Sequence, residues 1–302
     1  VIELRNVCKT FGRRPAVTDL SLSVPQGEIY GLLGHNGAGK STAIGMMLGQ
    51  VWPTAGEVRV CGHSVSHDRR RALARVGAIF EAPVFYDYLS GYRNLEVLSY
   101  YTGPTPEPRI REVIEWVGLT GRERSKVRTY SHGMRARLAV AQALLPDPEL
   151  LILDEPSDGL DPEGIHEMRE TILRLRRELN LTILLSSHLL TEVEQLCTRI
   201  AVMHQGRKVF EGGIADAKRR HNRVRLVTDD FPAATAALRE AGLIERDEAG
   251  RWLGLAPGHT AAEVVRALVG RGFPVHEIAP EEETLEDFYL ALMDEQRARD
   301  SR

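Results

Sequence analysis

The run Gly34-His35-Asn36-Gly37-Ala38-Gly39-Lys40-Ser41 constrains this chain more than any other stretch. It follows a short apolar segment, Ile29 to Leu33, that reads as strand, and it leads into Thr42 to Leu48, which reads as helix. Closely spaced glycines let a backbone wrap around phosphate oxygens with its N–H groups turned inward. The N-terminus of the following helix adds a favourable dipole, Lys40 can reach β- and γ-phosphates, and the Ser41 hydroxyl suits Mg²⁺. The residues expected at a bound nucleotide are therefore Gly34, Asn36, Gly37, Ala38, Gly39, Lys40, Ser41 and Thr42.

Such a loop needs acids nearby to hold the metal and orient water. Leu150-Leu151-Ile152-Leu153-Asp154-Glu155-Pro156 supplies them: four apolar residues bury a strand and deliver two carboxylates at its C-terminal edge, where ligands of open α/β sheets sit. Asp154 is placed in the Mg²⁺ shell, directly or through water. Glu155 is the general base or the positioner of water attacking the γ-phosphate. Asp161-Pro162 then caps a helix that puts Ile165, Met168, Ile172, Leu175 and Leu179 on one face, and Leu181 to Leu185 forms the next strand. Strand, helix, strand implies a parallel crossover and a sheet covered by helices.

Elsewhere the pattern changes. Alternation around turns at Gly12–Pro15 and Pro25–Gly27 reads as antiparallel strands, and the region from Tyr92 to Ala143 is helical in pattern. A hairpin signal stands at Gln205-Gly206. From there the order is strand (Arg223–Val227), helix (Ala233–Ala241), hairpin (Glu245–Leu255, turning near Gly250), helix (Ala261–Val269), strand (Pro274–Ile278) and helix (Leu285–Met293). That order predicts a small ferredoxin-like α+β domain over 214–302, behind an α/β nucleotide-binding domain over 1–213 with a mixed sheet and a helical subdomain over about 84–145. The second domain carries no acid, base or metal constellation. It reads either as a dimer-stabilising or regulatory module or as a cover for an exposed edge of the first.

Composition excludes several classes. At 302 residues and 43% hydrophobic content the chain can bury a sizeable core, and its net charge of −3 gives no global drive toward nucleic acid or anionic lipid. Two basic runs, Arg69-Arg70-Arg71 and Lys218-Arg219-Arg220, read as solvated faces or linkers. Cys8, Cys61 and Cys197 have no metal-ligand spacing and read as small buried hydrophobes in a reducing compartment. No apolar run approaches the roughly 18 residues that span a bilayer, and Val1-Ile2-Glu3-Leu4 does not read as a signal peptide.

A third element makes a family recognisable. Tyr130-Ser131-His132-Gly133-Met134, between the phosphate loop and the acidic strand, resembles the signature loop of ATP-binding cassette proteins, usually Leu-Ser-Gly-Gly-Gln. Ser157-Asp158-Gly159-Leu160-Asp161 is similar to the family's interface loop, and Ser186-Ser187-His188 ends a strand where the family places its switch histidine. The resemblance covers about residues 1–213. It implies a P-loop ATPase that binds ATP and Mg²⁺ and pairs head to tail with a second copy. Ser131 and Gly133 then close over the partner's nucleotide, Asp161 lies at the interface, and His188 contacts the γ-phosphate as charge develops there. Phe11 corresponds to the aromatic that stacks on adenine, or is a core residue.

Glu81, in Phe80-Glu81-Ala82-Pro83, stands where the family usually has a metal-contacting glutamine, and His132 and Met134 replace glycine and glutamine in the signature. The glutamate loop, the altered signature and the C-terminal appendage together resemble the branch of bacterial exporters for peptide antibiotics and amphipathic drugs. That branch works through separate transmembrane permease subunits at the cytoplasmic face of the membrane. Phe85, Tyr86 and Tyr88 read either as the socket for a permease helix or as a buried aromatic cluster. Two other readings are a soluble cassette ATPase acting on nucleic acid or the ribosome, and a nucleotide-binding regulator without turnover. One cassette without heptads or basic excess speaks against the first, so no nucleic-acid partner is expected. Intact Lys40, Asp154, Glu155 and His188 speak against the second.

Overall fold

The computed structural model describes residues 1–80, 84–101, 103, 105–218, 223–248, 251–256, 258–280 and 284–300. Glu81, Arg219, Arg220 and Gly250, singled out above, lie outside the described residues. The chain divides into two compact units, Val1–Gly213 and Ile214–Arg302.

In the first unit, β1 (Ile2–Phe11), β2 (Arg14–Val24), β4 (Ala55–Val60) and β5 (His63–Ser64) form an antiparallel sheet in the order β2-β1-β4-β5. A second sheet runs β10-β9-β3-β8-β7-β6, from β3 (Ile29–Leu33), β6 (Val76–Ile79), β7 (Leu150–Asp154), β8 (Thr182–Ser187), β9 (Arg199–His204) and β10 (Arg207–Gly213). It is parallel from β9 through β6, and β10 pairs antiparallel with β9. The sheet is thus mixed. Gln205 and Gly206, both with positive φ (48° and 78°), make the β9–β10 turn that twisted antiparallel strands favour.

Strand β3 is buried along its whole length, as a central parallel strand covered on both faces must be. A single buried cluster takes side chains from both sheets and from α1 (Lys40–Met47): Ile2, Leu20 and Val58 meet Ile44, Met47, Ile152 and Leu184. The phosphate-loop helix is therefore anchored in the core of the unit, while its N-terminus stays at the sheet edge. Helix α2 spans Arg69–Ala72, capped by the Asp68 carboxylate.

Among the described residues the helical region holds three α-helices, α3 (Gly91–Ser99), α4 (Glu107–Trp116) and α5 (His132–Leu144), with a short 3-10 turn at Val127–Thr129. Pro106 precedes α4, and the Gly118–Gly121 turns, both glycines at positive φ, end it. Ser90 and Ser131 accept from Arg93 N–H and Met134 N–H at 3.2 Å and so cap α3 and α5. Gly77 on β6 has no room for a side chain, since a β-carbon there would lie 2.1 Å from the Ala143 carbonyl oxygen of α5. Gly77→Ala is expected to destabilise the unit by about 2–3 kcal/mol. Thermal unfolding checks it, and an unchanged Tm would show that α5 can shift freely.

Helix α6 (Pro162–Leu179) starts at Asp161, whose Oδ1 accepts from Gly164 N–H at 3.0 Å, and buries Met168, Thr171, Ile172 and Leu175. Ile165 and Leu179, on the same predicted face, are half-buried. Helix α7 (Leu190–Leu196) follows β8. Cys197 is buried, as expected, but Cys8 and Cys61 are only half-buried because β1 and the turn after β4 lie at the surface.

The second unit contains α8 (Ile214–Lys218), β11 (Arg223–Val227), α9 (Phe231–Glu240), β12 (Ile244–Glu248), β13 (Trp252–Leu255), α10 (Ala261–Gly270), β14 (Glu277–Pro280) and α11 (Leu285–Asp300). Its sheet is antiparallel, in the order β12-β13-β11-β14. Val224, Leu226 and Leu253 pack against Leu238 of α9 and Val264 and Leu268 of α10. Among the described residues no helix is long and apolar enough to cross a membrane.

Candidate functional site

Register explains why distant segments meet. In the parallel sheet Leu33 pairs with Ser187, and Asp154 pairs with Ser186. The start of the phosphate loop, the acidic pair and the Ser-Ser-His end of β8 therefore leave the same C-terminal edge side by side, where an open α/β sheet offers its crevice.

The loop itself is held close to its neighbours. Gly39, at φ 103°, adopts a conformation that L side chains avoid, and a β-carbon there would lie 2.7 Å from Ala16 O of β2. His35, Asn36 and Gly37 are exposed, whereas Ala38 and Lys40 are buried. Lys40 donates to Gly34 O at 2.7 Å and pairs with Glu155 Oε1 at 3.4 Å, with only 6% of its side chain exposed. Ser41 is exposed and Thr42 half-buried at the first turn of α1.

Glu155 is the centre of the cluster. Its φ of 48° is unusual for a side-chain-bearing residue, and it turns the chain sharply at the end of β7. The Ser186 hydroxyl holds this turn: it accepts from Glu155 N–H at 3.0 Å and donates to Asp154 Oδ1 at 2.5 Å. Glu155 Oε2 accepts from His188 N–H at 3.3 Å and lies 2.7 Å from His188 Nδ1. Lys40, Glu155 and His188 thus form one chain of contacts, with Asp154 joined through Ser186. Ser186, fully buried, has no role of its own in the Ser186-Ser187-His188 match, because a serine at a strand end carries no signal until the register places it beside the two acids.

Gly133 and Asp161 meet at the N-terminus of α6, and Ser131 stands beside them as the cap of α5. A β-carbon on Gly133 would meet Gly164 Cα at 3.5 Å, and the His132 ring lies against Gly159, 3.4 Å from where a β-carbon would stand. Ser131 and Asp161 are both engaged as helix caps. Phe11 is 52% exposed, with the Lys9 ammonium 4.8 Å from its ring centre, so it is not a core residue. Its hairpin partner Arg14 is two residues from Ala16, the neighbour of Gly39. Of the three aromatics after the glutamate loop only Phe85 is buried; Tyr86 and Tyr88 face solvent, which rules out a wholly buried cluster.

This arrangement can hold a polyphosphate at a helix N-terminus, neutralise it with a lysine and present a carboxylate and an imidazole together at its far end. Comparison with known proteins gives the same direction. The ABC transporter family model matches residues 17–158. The ABC transporter ATP-binding protein YhcH of Bacillus subtilis (strain 168), itself uncharacterised, is 39% identical over 98% of this chain and 96% of its own length. The chain belongs to the ABC transporter family, as an ATP-binding subunit. The bacitracin transport ATP-binding protein BcrA of Enterococcus faecalis is 38% identical, over 97% of this chain and 96% of that protein. A solved ATP-binding subunit of an ABC transporter superposes with a TM-score of 0.64 at 28% identity, covering 73% of this chain and 92% of that one. The cassette is accordingly an ATP-binding protein of an ATPase family, and its fold is that of the family's cassette.

Proposed function

We propose that this cassette hydrolyses MgATP as a head-to-tail dimer and drives export of a peptide antibiotic or similar amphipathic compound through separate membrane subunits. The observation that carries the proposal is the contact chain Lys40–Glu155–His188 at the mouth of the phosphate loop. The bacitracin transport role named for BcrA, a relative along nearly the whole chain, supports the cargo class.

In this reading the loop amides of residues 34–42 and Lys40 bind the phosphates, and Phe11 stacks on adenine through its exposed face. An exposed hydroxyl at Ser41 and a carboxylate at Asp154, with one oxygen already fixed by Ser186, form a hard-oxygen set that suits Mg²⁺. Glu81 is proposed as a third metal contact, in place of the family's glutamine. A Mg²⁺ held by these oxygens would supply neutralisation of the phosphate charge. Glu155 accepts the proton of the attacking water, or orients that water, and His188 stabilises the charge gained by the γ-phosphoryl oxygens.

Gly133 and Asp161 meet at the N-terminus of α6 with Ser131 beside them, so we assign all three to the nucleotide held by a second copy, through an isologous interface. The unit over 214–302 is proposed as a ferredoxin-like accessory domain, a reading that its element order and its β12-β13-β11-β14 sheet support. Exposed Val84, Tyr86 and Tyr88 are proposed as part of the permease contact, and a location at the cytoplasmic face of the membrane is proposed with it.

Affinity capture from detergent-solubilised membranes of the native host, with an ATPase assay on the purified chain, tests the proposal. MgATP turnover and recovery of a polytopic membrane protein in stoichiometric amount are the expected results. Recovery of ribosomes or nucleic acid instead would sink the transport half and leave the ATPase half standing.

A further inference from the structure

A buried acid stands behind the cluster and has no part in the mechanism above. Glu192 lies on α7, which begins two residues after His188, and is only 8% exposed. Its Oε1 is buried without a hydrogen-bond partner. Acids are seldom buried in this way, because the desolvation cost of the charged form is large and an apolar side chain fills the same space without it.

The groups facing it come from two separate segments, the loop after β7 and the end of β8. They are the hydroxyls of Ser157 and Ser187, which favour its charged form, the Glu155 carboxylate, which opposes it, and His188. Burial dominates and raises the Glu192 carboxyl above the usual carboxylate range. Ser157, 5% exposed, follows Glu155 by two residues and opens the loop that ends at the Asp161 cap. Ser187, 2% exposed, ends β8 and immediately precedes His188; its hydroxyl also accepts from Leu189 N–H at 3.0 Å. One buried carboxyl therefore sits where the loop leaving Glu155 meets the strand end that presents His188.

We propose that Glu192 is a positioning residue for ATP hydrolysis, its carboxyl bracing Ser157 of the loop after Glu155 against Ser187 at the base of His188. The inference rests on the roles assigned above to Glu155 and His188. Glu192 itself touches no nucleotide. It fixes the relative placement of two groups whose 2.7 Å contact must be exchanged for contacts to water and γ-phosphate during turnover. Catalytic groups lose rate steeply when displaced, while the phosphate loop that sets ATP affinity is left alone.

Steady-state ATPase kinetics on the full chain test this with Glu192→Ala, Glu192→Gln, Ser157→Ala and the Ser157→Ala/Glu192→Ala pair. Glu192→Ala is expected to lower kcat about tenfold and leave the KM for ATP within about twofold. Glu192→Gln keeps the shape and the hydrogen-bonding capacity and is expected to recover most of that loss. The double variant is expected to be no slower than Glu192→Ala alone, because one interaction is removed twice. If Glu192→Ala does not fold, Ser157→Ala carries the same expectation with the acid in place. An unchanged kcat in the alanine variants, additive losses, or glutamine as slow as alanine overturns the proposal. A wild-type chain without turnover overturns the hydrolysis reading itself, and the inference with it.

Discussion

Glu155→Gln is expected to abolish ATP turnover while the chain still binds ATP, and to accumulate an ATP-bound dimer. The amide cannot take a proton from water, and loss of a general base costs on the order of 10²- to 10⁴-fold. Binding should not suffer, for a reason specific to this site. The Glu155 carboxylate lies 3.4 Å from the Lys40 ammonium and 2.7 Å from His188 Nδ1, the two groups assigned to the phosphates. ATP must draw both away, and a neutral amide competes for them less strongly. The variant should therefore bind ATP at least as tightly as the wild type and remain in the closed pair. Light scattering with and without MgATP, beside a phosphate-release assay, reads both effects. Full turnover in the variant would move the base elsewhere, and loss of binding would mean that Glu155 supports the loop rather than the chemistry.

The parts of this site that were legible in sequence are those whose chemistry and geometry fall in consecutive residues. Gly34 to Ser41 carries its own turn, its dipole and its cation, and Leu150 to Glu155 carries its burial and its charge together. His188 was legible through the resemblance, at the strand end where the family places its switch histidine. What stayed hidden depends on register or packing. Ser186 matters because Asp154 pairs with it across the sheet, and no feature of Ser186-Ser187 marks one hydroxyl over the other. Glu192 lies in Leu190-Thr191-Glu192-Val193-Glu194, a pattern that reads as a solvated helix face until α7 turns Glu192 inward beneath Ser157 and Ser187.

The same limit applies to the fold. Strands β3 and β11 run over Ile29–Leu33 and Arg223–Val227, the bounds that the apolar run and the strand pattern give. Strands β5 and β6 carry too few residues for a period to emerge, and β6 is weakened further by Gly77, which is there because α5 leaves no space. Strand β14 runs from Glu277 rather than Pro274, because pairing with β11 begins at Glu277 opposite Val227.

Lys40→Met is expected to remove nucleotide binding and leave the fold intact. Lys40 is almost fully enclosed, and its ammonium has two partners, Gly34 O at 2.7 Å and Glu155 at 3.4 Å. Methionine is unbranched and only one atom shorter, so it fills most of the same space and packing around α1 survives. The carboxylate left behind belongs to a residue that is a quarter exposed and still has His188 as a partner, so it is not stranded in an apolar interior. The stability loss is therefore small. Binding is another matter: a lysine on a polyphosphate makes charge-assisted bonds in a partly desolvated loop, and an affinity loss of about 100-fold corresponds to about 2.7 kcal/mol. The two consequences separate in one measurement. ATP raises the Tm of a chain that binds it only in the folded state. The wild type should show that rise, and Lys40→Met should start from nearly the same Tm and show none. A variant that still gains stability from ATP would place the phosphate-binding cation at another residue; one that is already unfolded without nucleotide would make the Lys40–Glu155 pair a structural strut.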